Sequence, residues 1–225
     1  MKFNIINSSS KGNCLIIEDK IALDCGVTFS KLKSYVQNLK IVCLTHSHSD
    51  HFNKNTIRKL AKERPTLKFI CSYYLAPLLI AECKVDKKNI IVLESNKMYD
   101  LGLFKCKMYD LYHDVPNVAY YIEYDGYKVF YATDTQKINH ISEPNCDYYF
   151  IEANYNEDIL KKHIEECDDD NKLFYLNRVS RTHLSETQAV DFLLKNMGDN
   201  SKYCYIHKSS YNFDNQVEER GENKE

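Results

Sequence analysis

The run Thr45-His46-Ser47-His48-Ser49-Asp50-His51 holds three imidazoles and one carboxylate within six residues. Each such group must be paired or lose its water when the chain folds, so this density is costly unless something binds there. Imidazole and carboxylate suit Zn²⁺ and tolerate Mn²⁺ or Fe²⁺. Alternation sends His46 and His48 to one side, and Asp50 and His51 to another. One loop can then feed two metal ions lying side by side.

The flanking elements must present that loop. Residues 39–44 read as a buried strand and residues 53–63 as a helix, so the four groups sit on a strand-to-helix turn. Upstream, residues 3–7, 14–18 and 20–24 read as sheet strands, with Gly12 and Gly26 marking turns. Downstream come a strand at 67–72, a helix at 74–83 and a strand at 89–93. From 104 to 132 the pattern is antiparallel, with a hairpin at Asp125-Gly126 between 117–124 and 127–132. A strand follows at 148–152, amphipathic helices at 156–167 and 185–196, and a last strand at 203–207. Strands gathered first, with helices between and after, predict an α/β chain of two sheets covered by helices.

Further chemistry-bearing residues fall at the C-terminal ends of these strands. His113 stands in Tyr112-His113-Asp114, Asp134 in Thr133-Asp134-Thr135, and His207 ends Tyr203-Cys-Tyr-Ile-His207. Together with the loop they make five imidazoles and two carboxylates. The order His-x-His-x-Asp-His, lone His, lone Asp, final His resembles the metallo-β-lactamase-fold hydrolases, from about residue 3 to about residue 210.

The resemblance implies a four-layer αββα sandwich spanning residues 1–212, with a polar, disordered tail at 213–225. It implies one metal on His46, His48 and His113, a second on Asp50, His51 and His207, and Asp134 bridging both. Asp50 counts among the catalytic residues as well. His183 rivals His207 for the last ligand, and the strand-end position favours His207. The two divalent ions, Zn²⁺ first, would share a hydroxide that is nucleophilic at neutral pH. The site then carries roughly +1 formal charge, which suits an anionic phosphodiester. Lactam-cleaving members carry Cys where Asp134 stands, and flavo-diiron members carry Glu where His48 stands.

Two segments narrow the resemblance. Ile151-Glu152-Ala153-Asn154 and Arg181-Thr182-His183-Leu184-Ser185, read as opening a helix, resemble the acid-pair loops of ribonuclease Z and related phosphodiesterases. Glu152 would orient His183, which protonates the leaving oxygen. The Leu184-Ser185 step, Gly12-Asn13-Cys14 and Leu23-Asp24-Cys25-Gly26 are closer to short bacterial members described as 5′–3′ exonucleases. Asp24 would brace the histidine loop from behind. Arg178 and Arg181 are placed to grip a phosphate, with Lys54 and Lys208 as weaker versions. His140 and His163 fit no motif position and read as solvated.

Composition sets the remaining bounds. The chain has 225 residues, 44% hydrophobic, with net charge −2, which gives no broad basic surface for a long duplex. Nine scattered cysteines without a Cys-x-x-Cys pair, and no apolar stretch of signal-peptide or membrane-span length, read as reduced thiols in a cytoplasmic protein. Eighteen tyrosines and no tryptophan are expected to serve strand packing. The leading expectation is a phosphodiesterase or nuclease acting on nucleic acid or oligonucleotide, with a homodimer allowed. The alternative is a small cyclic nucleotide as substrate, as for some phage-encoded members that blunt host signalling. A thioester hydrolase of the glyoxalase II type ranks lower, because only about 40 residues follow His183. A scaffold that lost activity ranks last, because all seven ligands are present.

Overall fold

The computed structural model describes residues 1–209, and the expected tail at 213–225 lies outside the described residues. The first sheet runs β1 (Phe3–Ser9), β2 (Gly12–Ile17), β3 (Ile21–Leu23), β4 (Ile41–Cys43), β5 (Lys68–Cys71) and β6 (Ile90–Val92), in that spatial order. Its first three strands pair antiparallel and the rest parallel. The second sheet is formed by β7 (Met98–Asp100), β8 (Lys105–Leu111), β9 (Asn117–Tyr124), β10 (Tyr127–Ala132), β11 (Tyr148–Glu152) and β12 (Lys202–Ile206). It too starts antiparallel and ends parallel, so two similar halves face each other.

Four layers follow from which side each strand buries. Leu15, Ile17 and Leu23 point inward and meet Met108, Val118 and Tyr120 between the sheets. On the outer side of the first sheet, Ile16 and Val42 pack with Leu32 of α1 (Phe29–Leu32), Leu60 of α2 (Lys54–Glu63) and Leu79 of α3 (Ala76–Ala81). The second sheet buries Phe130 and Ile151 against α6 (Glu186–Asn196). A smaller apolar cluster joins α4 (Glu157–Glu165) to α5 (Asp170–Thr182). The strand β2 is covered on both faces and buried throughout, and residues 14–17 are accordingly all apolar.

Several expectations need correction. Arg181 and Thr182 close α5 rather than open a helix; His183 follows, and Ser185 caps α6. The helix α5 itself, the short α1 and the edge strand β7 were not expected. Gly12 begins β2 rather than marking a turn before it. All nine cysteines are free thiols, but Cys167 and Cys204 are only half-buried. His140 is exposed as expected, whereas His163 is half-buried.

One close approach holds the site end of the first sheet together. Asn13 N donates to Asp50 O at 2.6 Å, Gly26 N to Asn13 O at 2.9 Å, and Cys25 N to His51 O at 2.8 Å. A Cβ added to Gly26 would lie 1.6 Å from Asp50 O, so only glycine fits there. Gly26→Ala should lower stability by about 3 kcal/mol or more, because the clash is with backbone. Urea unfolding checks this; a midpoint equal to that of the unsubstituted protein would contradict it.

Candidate metal centre

The histidine loop is fixed from both ends. Asp24, fully buried at the end of β3, accepts from Thr45 N at 2.9 Å and Thr45 Oγ1 at 2.8 Å. At the far end, Phe52 is buried and pairs with Cys25, and Asn53 caps α2 by accepting from Thr56 N. Asp24 also accepts from Tyr131 OH at 3.0 Å and lies 2.7 Å from His51 Nδ1. A carboxylate facing Nδ1 keeps the proton there, so His51 turns Nε2 toward the site.

The other ligand candidates arrive from the second sheet. His113 follows β8, and its Nδ1 lies 2.8 Å from Thr182 O. A carbonyl only accepts, so Nδ1 is the protonated nitrogen and Nε2 is the free one. His113 Nε2 and His46 Nε2 each lie 3.2 Å from His48 Nδ1. Asp134 follows β10 and is 2% exposed. Its Oδ2 is 3.4 Å from both His46 Nε2 and His51 Nε2. His207 follows β12 and brings Nε2 to 3.4 Å from Asp50 Oδ2. Its Nδ1 lies 3.0 Å from Glu152 Oε1. Three of these residues adopt left-handed backbone: Asp24 at φ 61°, Asp134 at 55° and His207 at 52°. That conformation costs an L-residue roughly 1–2 kcal/mol, which the surrounding hydrogen bonds must offset.

Two four-membered groups result: His46, His48, His113 and Asp134; and Asp50, His51, Asp134 and His207. Within each, the candidate ligand atoms lie within 4.8 Å of one another. A tetrahedral ion with arms of about 2.05 Å separates its ligands by about 3.3 Å. The measured 3.2 to 3.5 Å separations between several ligand pairs fit that spacing. The donors are nitrogen and oxygen without sulfur, and the imidazoles carry outer hydrogen-bond partners. The residues therefore fit two divalent ions that share Asp134.

Charge in the cluster confirms how strongly these groups are coupled. Burial pushes His46 down to about 4, with His51 adding to the shift. Burial also works against charge on His207, but Asp134, Asp50 and Glu152 lift it to about 10. Asp134 is held well below the carboxylate range despite burial, chiefly by His207 and His51.

A third group contains Asp134, Glu152, His183 and His207. Glu152 is fully buried, and its Oε2 accepts from Thr135 N at 2.9 Å and Leu184 N at 3.2 Å. Its Oε1 lies 2.7 Å from His183 Nδ1. Burial disfavours the His183 imidazolium, yet Glu152 raises its pKa above the usual value. His183, Arg178, Tyr175, Ser10 and Asp50 line a cleft of about 290 Å³ over the cluster. Arg181 is exposed on the next turn of α5 and does not line it. Lys54 pairs with Glu82 and Lys208 sits over the Tyr205 ring; neither lines the cleft.

Some positions escape a reading of the sequence. Asn13 Nδ2 lies 2.8 Å from His51 Nε2 and 3.5 Å from Asp50 Oδ2. Asp114 Oδ1 lies 3.3 Å from His48 Nε2, and its other oxygen pairs with Arg178. The signals available were the Gly-Asn turn and the carboxylate next to His113.

The profile of the Beta-lactamase superfamily domain matches residues 20–207. No curated protein matches the sequence. The metallo-beta-lactamase fold protein YhfI from Bacillus subtilis is similar over 92% of this chain and 86% of its own, with TM-score 0.67 and 18% identity. The short form of human tRNase Z is similar over 93% of each chain, with TM-score 0.68 and 15% identity. Zn²⁺-bound PqqB from Methylobacterium extorquens is similar over 94% of this chain and 90% of its own, with TM-score 0.67 and 10% identity. At these identities the likeness is one of fold, and the two sheets with outer helices are the expected metallo-β-lactamase arrangement. Among the described residues, no helix is long and apolar enough to cross a membrane.

Asp24→Asn keeps shape and tolerates the left-handed backbone, but it replaces one acceptor oxygen by an NH₂ donor, so Thr45 on one side and His51 with Tyr131 on the other cannot both be satisfied. Metal affinity should fall roughly 10- to 100-fold, measured by chelator competition; unchanged affinity would remove Asp24 from the account. Metal binding should also displace protons. His207, lifted to about 10, is protonated at neutral pH without metal, so affinity should rise with pH toward that value. Calorimetry at neutral pH in buffers of different ionisation heat should show proton release on Zn²⁺ binding; heats independent of buffer would contradict this.

Proposed function

The chain belongs to the beta-lactamase superfamily, and from that membership we propose a cytoplasmic two-metal phosphodiesterase that cleaves nucleic acid or an oligonucleotide. In kind it stands nearest the short bacterial exonuclease-like members. The observation that carries the reading is the pair of buried Glu152 and cleft-lining His183, 2.7 Å apart, beside the two ligand groups. Hydrolysis of an ester with a poor leaving group needs a proton donor at the departing oxygen. The likeness to a tRNase Z further favours a nucleic acid substrate.

The proposed ligands are His46, His48 and His113 for one ion, Asp50, His51 and His207 for the other, and Asp134 for both. Two divalent ions there would supply Lewis acidity and an activated water. The chain's own residues supply the rest. Glu152 fixes the His183 Nδ1 proton and stabilises the imidazolium, leaving Nε2 to donate toward the cleft. Oε1 of the same Glu152 also sets the His207 ring. Asp114 steadies His48 from outside and holds Arg178 at the cleft wall, where its charge meets an incoming phosphate.

A small cyclic nucleotide is the second reading. The cleft of about 290 Å³ favours it, since that size is at the lower end of small-molecule sites. Offering the Zn²⁺- or Mn²⁺-loaded protein single-stranded DNA, RNA and cyclic mononucleotides separates the two. Turnover of cyclic nucleotides alone would overturn the first reading.

Asp134→Ala should lose metal and activity together. His183→Ala should keep both metals, lose roughly 10²- to 10⁴-fold in kcat on an unactivated diester, and lose far less on a p-nitrophenyl ester. Full activity of His183→Ala on the unactivated diester would remove His183 as the acid.

A further inference from the structure

The outer face of α5 carries two kinds of group seldom left exposed together. Phe174 is 74% exposed and Tyr175 is 37% exposed. Arg178 and Arg181 follow at helical spacings of four and seven from Phe174, so Phe174, Arg178 and Arg181 share one stripe. The face opposite Phe174 is accounted for, because Leu176 packs with Leu160 of α4. Core packing therefore does not account for the Phe174 ring.

The stripe is continuous with the cleft. Tyr175, Arg178, Val179, Thr182 and His183 form one cleft wall, and all but His183 lie on α5. Thr182 O holds His113 in place, so the helix end is anchored to the ligand cluster itself. Arg178 neutralises Asp114, a carboxylate that would otherwise repel phosphate at the cleft mouth. At the far end the acidic run Asp168-Asp169-Asp170 closes the stripe to a phosphate chain.

We propose that this α5 face is a stacking shelf for the unpaired bases of a single-stranded oligonucleotide next to the phosphate being cleaved, a proposal that rests on the phosphodiesterase reading. Phe174 supplies a flat apolar face, Arg181 supplies a cation for the backbone, and the Arg178–Asp114 pair keeps the cleft mouth from repelling it. Single-strand binders combine these two ingredients, and stacking tolerates any base. From Phe174 to Thr182 the helix rises about 12 Å. That length spans about three bases at roughly 3.4 Å spacing. The shelf thus prefers a short single-stranded end and offers a duplex little, in keeping with the chain's near-neutral charge.

The test is a binding series on the Zn²⁺-loaded full chain. Labelled, cleavage-resistant phosphorothioate oligonucleotides of one to eight nucleotides are titrated by fluorescence anisotropy. Affinity should rise up to about three nucleotides beyond the cleft and then level off. Phe174→Ala and Arg181→Ala should each weaken binding of the longer probes, Phe174→Ala by about tenfold, and flatten the length dependence. Phe174→Trp should restore it, which a merely structural role for the ring would not predict. Hydrolysis of bis(p-nitrophenyl) phosphate is measured in parallel and should stay within about twofold in Phe174→Ala. A length dependence unchanged in Phe174→Ala overturns the shelf, even if the diester is cleaved. A Phe174-dependent length series without any diester cleavage upholds single-strand binding on this face and overturns the phosphodiesterase reading, and with it the placing of the shelf beside a cleaved phosphate. Loss of a dimer in Phe174→Ala, seen by sedimentation with oligonucleotide affinity intact, assigns the face to a second copy and overturns the proposal.

Discussion

A carboxylate as buried as Asp134 stays ionised only if positive charge surrounds it, and that constraint organises the whole site. Its Oδ2 faces His46 and His51 at equal distance, and the same side chain lies against His207. The same carboxylates, Asp134 with Asp50 and Glu152, lift His207 against the cost of its burial. Behind Asp134, Asp24 is a second buried carboxylate, hydrogen-bonded by Thr45 and Tyr131 and set against His51. Both acids stand just past the end of a strand with left-handed backbone, one from each sheet. The sandwich is the frame that brings those two ends together.

Much of this arrangement is legible in the chain because the groups sit at strand ends. A strand of alternating or continuous apolar residues is visible locally, and the polar residue that ends it stands out. Hence the loop at His46–His51, and the placing of His113, Asp134, Glu152 and His207 after strands, can be read without coordinates. The roles of Tyr131 and Asn13 could not be. Tyr131 reaches Asp24 across 107 positions, and Asn13 reaches His51 across 38, so neither contact leaves a local signal. Tyr131 sits in a strand where a tyrosine needs no further explanation.

The helix α5 escaped for a different reason. Its sequence mixes Asn171, Phe174, Tyr175, Asn177, Val179, Ser180 and Thr182, all modest helix formers, so intrinsic preference argues against it. Asp169 caps it, and packing of Leu176 and Val179 on α4 supplies what propensity lacks. Missing that helix also hid the cleft wall, since Arg178 acquires its neighbours only when the segment coils. The residues of the α5 cleft wall therefore lie where local pattern is weakest, whereas the candidate metal ligands lie where it is strongest.

Asp134 shared between two imidazole groups is the claim on which the rest stands. Metal content by mass spectrometry, with anomalous scattering from a Zn²⁺-loaded crystal, tests it directly. The account predicts two ions per chain, one among His46, His48 and His113, the other among Asp50, His51 and His207, with Asp134 touching both. A single ion, or a pair of which only one contacts Asp134, would contradict it.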